Sequence, residues 1–294
     1  MNQNKTYSQA VKEQPEFMHF QVDFAKCMNS LKEYFDILLS GNHASPEALL
    51  AQVGGMIKPG QTTVDFFDML HNTRSSDDSV YAHCVNVALI SRMIGKWLKC
   101  SAEGLDMLTL AGLLHDIGKT KIPPEILNKQ EKLTDEEFKL LCSHSQLSYD
   151  ILEPLPFDPH IKNAALMHHE RCDGTGYPNH LTTNEIDDYA HLTAIADVYD
   201  AMTAARTYRA PLCPFQVIAE FEKDGLQKYK PKYILTFLQH IASTYQNNHV
   251  LLSDGRAANI VLLNQNNLSK PLVQLDNGEC IDLSTSGLYI SSII

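Results

Sequence analysis

Residues 168–178 read HHERCDGTGYP, and this stretch gives the strongest indication of the fold. Its two histidines, His168 and His169, are adjacent, so on a helix their side chains would point about 100° apart. Two such imidazoles can serve two neighbouring metal ions more naturally than one. Tyr177 stands between Gly176 and Pro178, which is typical of a tight, exposed turn. The stretch therefore predicts a metal site next to a tight turn.

The flanking sequence holds more side chains of the types that bind metals. His115-Asp116 follows an apolar run, residues 110–114, and Gly118 can end a helix there, which would leave both side chains inside a core. Asp197 lies in the apolar stretch 192–202, where an unpaired carboxylate is unfavourable to bury. A set of imidazoles and carboxylates suits iron, manganese, zinc or similar divalent ions. The candidate ligands, in chain order, are His83, His115, Asp116, His144, His168, His169 and Asp197.

The number of histidines alone would be weak support for a metal site. The chain has 13 of them, and a lone histidine is usually a surface or hydrogen-bonded residue. We apply that simpler interpretation to histidines outside the candidate set, such as His71 and His160. Cys84 and Cys172 each neighbour a candidate residue, and we interpret both as incidental small side chains. The seven candidates, taken together and in order, favour the metal site.

Hydrophobic spacing predicts a mainly α chain with a small β appendage. Apolar residues at steps of three and four indicate a helix over residues 17–38, and two shorter helices follow before residue 75. Thr134 and Glu137 form a capping box that starts a later helix, with helical spacing as far as Ile151. Asp-Gly at 254–255 and Asn-Gly at 277–278, between apolar runs, predict two hairpins. We therefore expect a helical N-terminal regulatory module (residues 1–75), an all-helical domain (76–247) and a small C-terminal β-hairpin appendage (248–294).

Composition limits the partners and the location. A formal net charge of -11 disfavours a long nucleic acid as a partner. Residues 1–11 are polar and lack a basic region followed by an apolar one, so no signal peptide is expected. No apolar run approaches the roughly 18 residues that would indicate a membrane span. The seven cysteines form no C-x-x-C pair, which favours reduced thiols and a cytoplasmic location.

The stretch at 168–178 resembles the signature of HD-GYP domains, a branch of the HD phosphohydrolase superfamily. The run His115-Asp116-Ile117-Gly118-Lys119 is similar to the H-D-x-G-K element of that family. Residues 197–209, which read DVYDAMTAARTYR, are similar to its D-x-x-D-A segment and the basic residues that follow. The resemblance covers about residues 79–245 and implies an HD-type all-helical domain. It is specific, because a nearly complete signature is accompanied by its flanking elements in order.

The resemblance implies roles for individual residues. The seven candidates match the metal ligands of the family, and Asp116 matches the carboxylate that bridges two metals. Lys119 matches a lysine near the scissile phosphate, so Asp116 and Lys119 are the expected catalytic residues. Tyr177 is expected to contact the substrate or a protein partner, although a simple capping turn is the alternative. Positions used in substrate binding are matched by Lys119, Asp200, Arg206 and Arg209. The two arginines could instead belong to a solvated helix end.

Two positions depart from the pattern of the family. Some members hold a third metal with a glutamate four residues before the first histidine, and that position is Ser79 here. We therefore expect two divalent metal ions, iron or manganese. Members often have glycine four residues after the third histidine, where this chain has Ser148. We interpret this second departure as a helix-packing difference.

These features predict a metal-dependent phosphodiesterase that hydrolyses cyclic di-GMP to pGpG, GMP or both. Two neighbouring metals can bind one water and lower its pKa, and the resulting hydroxide can attack phosphorus. Lys119 would add positive charge at the phosphate. Three alternatives stay open: hydrolysis of another cyclic dinucleotide such as cyclic GMP-AMP, a sensor or interaction module with little turnover, and an HD hydrolase of nucleotide mono- or polyphosphates. A homodimer is also compatible with the sequence.

Overall fold

The computed structural model describes residues 7–73, 79–204 and 211–294. Four helices come first: α1 (Tyr7–Lys12), α2 (Pro15–Leu39), α3 (Glu47–Met56) and α4 (Thr63–Thr73). Pro15 suits the first position of α2 because its missing N–H would have no helical partner there. The helix buries the predicted aromatic face, which includes Phe17 and Phe35, and Gly41 turns the chain after it with a φ of +78°.

The helical region continues beyond α4. Its elements are α5 (Val80–Trp97), α6 (Ala102–Leu114), a 3₁₀ turn (Ile117–Lys121), α7 (Pro124–Leu127), α8 (Asp135–Cys142), α9 (His144–Leu152), α10 (Pro159–Met167), α11 (Asp188–Thr203), α12 (Pro214–Lys228) and α13 (Pro231–Thr244). The predicted capping box starts α8, since Glu137 N donates to Thr134 Oγ1 at 3.3 Å and Thr134 N donates to Glu137 Oε2 at 2.8 Å. The helical spacing as far as Ile151 belongs to two helices rather than one. They separate at Ser143, whose N–H donates to Leu140 O, three residues back instead of four.

Close packing of α5 against α6 positions the candidate ligands. A Cβ on Gly112 would lie 2.5 Å from Ala88 Cα, so glycine is what lets the two helix backbones approach this closely. Ser79 caps α5 by accepting a hydrogen bond from Ala82 N at 3.2 Å. The contact brings the start of α5 beside the end of α6, and the ring centroids of His83 and His115 are 5.2 Å apart.

The N-terminal helices share one hydrophobic core with the rest of the chain. That core includes Phe35 of α2, Leu114 of α6 and Ile260 of the C-terminal part. On α4, the ring of His71 forms a 3.1 Å hydrogen bond with the Tyr199 hydroxyl of α11. Burial lowers the pKa of His71 to about 4, so this contact joins two uncharged groups at neutral pH. The division into three domains stays a prediction.

A small antiparallel sheet closes the chain. It contains β1 (His249–Leu252), β2 (Ala257–Leu262), β3 (Leu272–Leu275), β4 (Cys280–Asp282) and, after the short helix α14 (Leu283–Ser286), β5 (Ile290–Ile293). The strand order is β4-β3-β2-β1-β5. Both predicted hairpins are confirmed, and Gly255 and Gly278 adopt the positive φ that such turns require, +86° and +90°. The fifth strand was not predicted. Within the three described ranges, no helix is both long and apolar enough to cross a membrane.

We expect Asp68→Asn, a substitution on α4, to stabilise the protein at about pH 8 and to have much less effect at about pH 4. Burial raises the pKa of Asp68 from 3.8 to about 6, although a hydrogen bond from the Tyr7 hydroxyl acts in the opposite direction. The folded state therefore holds this proton more tightly than the unfolded state. That contribution to stability is fully present below pH 3.8 and is lost as the pH rises through 6. Because asparagine stays neutral, the gain near pH 8 should be about 2 kcal/mol.

Urea unfolding at the two pH values would measure this gain. Asp36→Asn, which removes an exposed charge from α2, is the control. The prediction for Asp68→Asn fails if the change in the free energy of unfolding is the same at both pH values.

Candidate metal centre

The seven candidate ligands converge, although five helices supply them. Six of the seven are buried, and His169 is partly exposed. In chain order, His83 lies at the end of the first turn of α5, His115 and Asp116 follow α6, His144 starts α9, His168 and His169 follow α10, and Asp197 lies within α11. Residues that are up to 114 positions apart in the sequence, 83 to 197, therefore meet in one place.

Asp116 stands between two groups of these side chains. Its Oδ2 lies 3.3 Å from His115 Nε2 and 3.4 Å from His83 Nε2. Its Oδ1 lies 3.2 Å from His144 Nε2 and 3.7 Å from His168 Nε2. The ligand atoms form two sets, each within 4.8 Å: His83, His115 and Asp197, and Asp116, His144, His168 and His169. One carboxylate thus faces two candidate cation positions, one through each oxygen.

Backbone carbonyls orient three of the rings. The hydrogen bonds run from His115 Nδ1 to Gly112 O at 2.8 Å, from His144 Nδ1 to Leu141 O at 2.7 Å and from His168 Nδ1 to Ala165 O at 3.0 Å. Each acceptor belongs to the last turn of the helix before the histidine, where carbonyls lack a partner within the helix. Because a carbonyl only accepts, Nδ1 carries a proton in each ring, and Nε2 is the atom turned toward Asp116.

The arrangement contains polar atoms that a cation would satisfy. His115 Nε2 and Asp116 Oδ1 are buried without a hydrogen-bond partner. The Nε2 atoms of His168 and His169 lie 3.3 and 3.1 Å from His144 Nε2. Nitrogens that face one another in this way repel when all present lone pairs, and a shared cation removes that repulsion. The residues present therefore fit divalent metal ions, which prefer imidazole and carboxylate together.

The pKa values of four candidate ligands are shifted in the direction that favours metal binding. Burial alone would raise the pKa of Asp116 and of Asp197, but the surrounding imidazoles, and Lys119 beside Asp116, lower it well below the ordinary range. Burial lowers the pKa of His168 and His169 well below the usual value. Ionised carboxylates and neutral imidazoles are the forms that coordinate metals.

His115 differs from the other rings of the set. The Asp116 carboxylate outweighs burial and raises the pKa of His115 well above its usual value. A proton and a cation therefore compete for this ring, and acid should weaken metal binding there.

Lys119 lies beside the shared carboxylate. Its Nζ is 2.5 Å from Asp116 Oδ2, and its side chain is 22% exposed, so the ammonium can reach both the site and solvent. The 3₁₀ turn that carries it is held by α9, because Gly118 N donates to Ser148 Oγ at 2.8 Å. Ser148 is therefore more than the packing difference that the sequence suggested: its hydroxyl fixes the turn to the helix that starts with His144.

The Gly176-Tyr177-Pro178 loop turns inward, so the expectation of an exposed turn is wrong. Gly176 is buried, and a Cβ there would lie 2.5 Å from His169 O. The half-buried ring of Tyr177 stacks on the imidazole of His169, with centroids 4.6 Å apart. Tyr177 thus borders the second set of ligands, and its contact with a substrate or a protein partner stays a prediction.

Glu170 is a residue whose role the sequence interpretation missed. It is buried, and its carboxylate accepts hydrogen bonds from Asn179 N at 2.6 Å and Leu181 N at 3.0 Å. Through these bonds it holds the segment that follows the loop close to α10. Its position directly after two candidate ligands was the available signal, but the partners became visible only with the fold.

Asp200, one of the residues assigned to substrate binding, lies inside the fold. Asp200 is 2% exposed, and its Oδ2 accepts a hydrogen bond from His83 Nδ1 at 2.6 Å. It therefore lies behind a candidate ligand, and its contact with a substrate stays a prediction. Asn86, which the sequence interpretation missed, donates to Asp200 Oδ1 at 3.0 Å. Arg206 and Arg209 lie outside the described residues.

Cys84 and His160 were interpreted from the sequence as residues without a role at the metal site. Burial raises the pKa of the Cys84 thiol, which keeps it protonated although it lies near His115 and Asp116. His160 Nδ1 lies 2.7 Å from Asp187 Oδ2, a pair that joins the start of α10 to the start of α11. Their simpler interpretation agrees with these contacts.

This chain is similar to known proteins over its helical region. Residues 66–233 match the family model described as HD domain. The chain belongs to the HD domain family. The match begins within α4, ten residues before the boundary that we predicted at 76, so this helix is part of the region that defines the family. The predicted resemblance to HD-GYP proteins is confirmed as well, by relatives named cyclic di-GMP phosphodiesterases and by a solved structure described as an HDG"Y"P protein.

Relatives of this HD domain chain are cyclic dinucleotide phosphodiesterases. A cyclic di-GMP phosphodiesterase of Pseudomonas aeruginosa is 40% identical over 137 residues, 46% of this chain and 33% of the relative. A 3'3'-cGAMP-specific phosphodiesterase of Vibrio cholerae is 34% identical over 161 residues, 54% of this chain and 31% of the relative. The chain thus spans about a third of the length of each.

A solved structure supports the fold. A protein of Bdellovibrio bacteriovorus described as HDG"Y"P aligns with a TM-score of 0.58 at 19% identity, covering 80% of this chain and 72% of that one.

Proposed function

We propose that this chain is a metal-dependent phosphodiesterase that hydrolyses cyclic di-GMP to pGpG, GMP or both. The observation that carries the proposal is the position of Asp116, whose two oxygens face separate sets of imidazoles. A carboxylate in this position suits a pair of cations better than a single one. The names of the relatives supply the substrate class, and the signature at 168–178 agrees with it.

The proposed cofactor is a pair of divalent ions, iron or manganese. His83, His115, Asp116 and Asp197 would hold one ion, and Asp116, His144, His168 and His169 would hold the other. When bound, such a pair activates water for attack on phosphorus and stabilises the charge that develops on the phosphate oxygens. Lys119, which lies beside Asp116, would bind a non-bridging phosphate oxygen through its ammonium group. This interaction would strengthen as negative charge develops on the phosphate in the transition state.

This arrangement explains how an acidic protein could bind an anionic substrate. The chain has a formal net charge of -11, so attraction must be local. Two divalent ions and Lys119 would provide it where the phosphates bind. A cytoplasmic location is part of the proposal, and it is supported by seven cysteines that are all unpaired.

The decisive test joins metal analysis to product identification. The protein would be purified without oxygen, its iron and manganese measured per chain, and the protein then incubated with cyclic di-GMP or 3'3'-cGAMP. We expect about two ions per chain and pGpG or GMP as product. Faster hydrolysis of 3'3'-cGAMP would favour the activity named for the Vibrio cholerae relative. Tight binding of either dinucleotide without turnover would favour a sensor and refute the proposed enzyme.

We expect Lys119→Ala to retain both metal ions but to hydrolyse cyclic di-GMP about 100-fold more slowly. Its ammonium contacts Asp116 from the partly exposed side and is not itself a ligand, so its loss should affect the phosphate more than the metals. The rate constant kcat and the metal content per chain would be measured together. Lys121→Ala, an exposed lysine of the same 3₁₀ turn, is the control. Loss of metal from Lys119→Ala would show instead that the lysine maintains the site.

A further inference from the structure

His83 is oriented differently from the other buried rings of the metal centre. Its Nδ1 donates to the carboxylate of Asp200 at 2.6 Å, whereas three other rings donate to backbone carbonyls. Asp200 is in turn held by Asn86, whose Nδ2 donates to its other oxygen at 3.0 Å. Asn86 and Asp200 are 1% and 2% exposed, so water competes little for these hydrogen bonds.

The position of His83 in its helix explains the difference. The other three histidines stand just after a helix end, where carbonyls of the last turn are available. His83 lies inside α5, near its start, and Ser79 O already accepts from His83 N at 3.1 Å. The carbonyl of Val80 belongs to the regular bonding of the helix. The nearest carbonyls therefore already accept hydrogen bonds within the helix, and the ring of His83 donates instead to a side chain of another helix, Asp200 of α11.

This hydrogen bond determines which way the ring of His83 faces. With Nδ1 donating to Asp200, Nε2 lies 3.0 Å from Asp197 Oδ1 and 3.4 Å from Asp116 Oδ2. A ring rotated by half a turn would lose the bond to Asp200 and turn a carbon atom toward the two carboxylates. Ligand histidines whose second nitrogen is bound to a carboxylate are better oriented and more basic ligands.

We propose that Asp200, held by Asn86, is a positioning residue that fixes His83 as a ligand and thereby sets the cation affinity of the His83-His115-Asp197 position. The proposal rests on the proposed function, since it assumes that this position binds a metal. It replaces the substrate-binding role that the family resemblance suggested for Asp200. In this role Asp200 acts through His83.

Mn²⁺ binding to the purified full chain without substrate tests the proposal. Free Mn²⁺ would be followed by electron paramagnetic resonance during a titration. We expect Asp200→Ala to weaken one of the two Mn²⁺ sites by about 10- to 100-fold and to leave the other within a factor of about three. Asp200→Asn should fall between this variant and the unchanged protein, and it provides the measurement if the alanine variant does not fold.

A double variant separates positioning from simple support of the fold. In Asn86→Asp combined with Asp200→Asn, the new amide can accept from His83 Nδ1 with its oxygen and donate with its nitrogen to the new carboxylate. We expect this exchange to recover most of the Mn²⁺ affinity that Asp200→Asn loses. Asp187→Ala is the control, because it removes another carboxylate–imidazole pair and the cap of the same helix α11. It should lower thermal stability and leave Mn²⁺ affinity unchanged.

The outcomes distinguish this inference from the function on which it rests. If the unchanged protein binds no Mn²⁺ or other divalent ion, the proposed function fails. If it binds two ions and Asp200→Ala binds them equally well, the positioning role is overturned, and a higher KM for cyclic di-GMP would return Asp200 to substrate contact. A folded double variant that recovers no affinity would also overturn the inference.

Discussion

Asp116→Ala is expected to abolish the binding of both cations and to lower the rate of cyclic di-GMP hydrolysis by at least about 10⁴-fold. Each oxygen of Asp116 faces a different set of ligands, so the substitution removes a ligand from both positions at once. Asp197 does not take its place, because its Oδ1 lies 3.0 Å from His83 Nε2 but its Oδ2 is farther from the second set, 3.9 Å from His169 Nδ1. Water could enter the space but would not supply the negative charge that bridges two cations.

Metal content after dialysis and chromatography of the reaction products would measure this effect. Asp106→Ala is the control, since it removes a half-exposed carboxylate of α6, the helix that Asp116 follows, and this carboxylate pairs with Arg92 of α5 at 2.7 Å. It should keep both ions and full activity. Two retained ions together with normal hydrolysis in Asp116→Ala would falsify the bridged arrangement.

Gly118→Ala is expected to destabilise the fold by about 2–3 kcal/mol and to weaken cation binding at the His144 side. A Cβ at this position would lie 2.2 Å from His144 O and 2.6 Å from Ser148 N. Both are backbone atoms of α9, so no rotation of a side chain relieves the overlap. The helix must move away from the 3₁₀ turn, and His144 must move with it.

The matched control is Gly225→Ala on α12. A Cβ there meets only side-chain atoms at 3.5 Å or more, so the substitution should be neutral or slightly stabilising through better helix propensity. Thermal unfolding and Mn²⁺ titration of both variants would separate the two effects. Equal stability of the two alanine variants would show that α9 and the turn are less tightly joined than the structure indicates.

Parts of this molecule were predictable because local chemistry determines them. Hairpins need glycine at a positive φ, and the Asp-Gly and Asn-Gly pairs supplied it at Gly255 and Gly278. A metal site needs particular residue types, and the spacing around His115-Asp116 and His168-His169 restricted the choice. The helix that begins after Thr134 was marked by its capping box. The hairpin and capping signals each lie within about ten positions, whereas the metal site was predicted from the ordered set of candidates between residues 83 and 197.

Features that depend on packing between distant segments were not predictable in this way. Asp200 was assigned to the substrate because its partner His83 is 117 positions away and belongs to another helix. Tyr177 was expected to be exposed, because the close contact of Gly176 with His169 O cannot be seen in the sequence. Strand β5 reads only Ile-Ser-Ser-Ile, and it is defined by its pairing with β1 rather than by its own pattern.

The hydrogen bond between His71 and Tyr199 has a mechanical consequence. Tyr199 stands two positions after Asp197 and one before Asp200. The hydrogen bond therefore joins α4 to α11 at the turn that carries both carboxylates. If α4 moved along its axis, α11 would move with it, and so would both carboxylates. Helix α1, which precedes the family match, contacts α4 through the hydrogen bond from Tyr7 to Asp68, so a displacement of α1 can reach the candidate metal centre without any contact between α1 and the ligands.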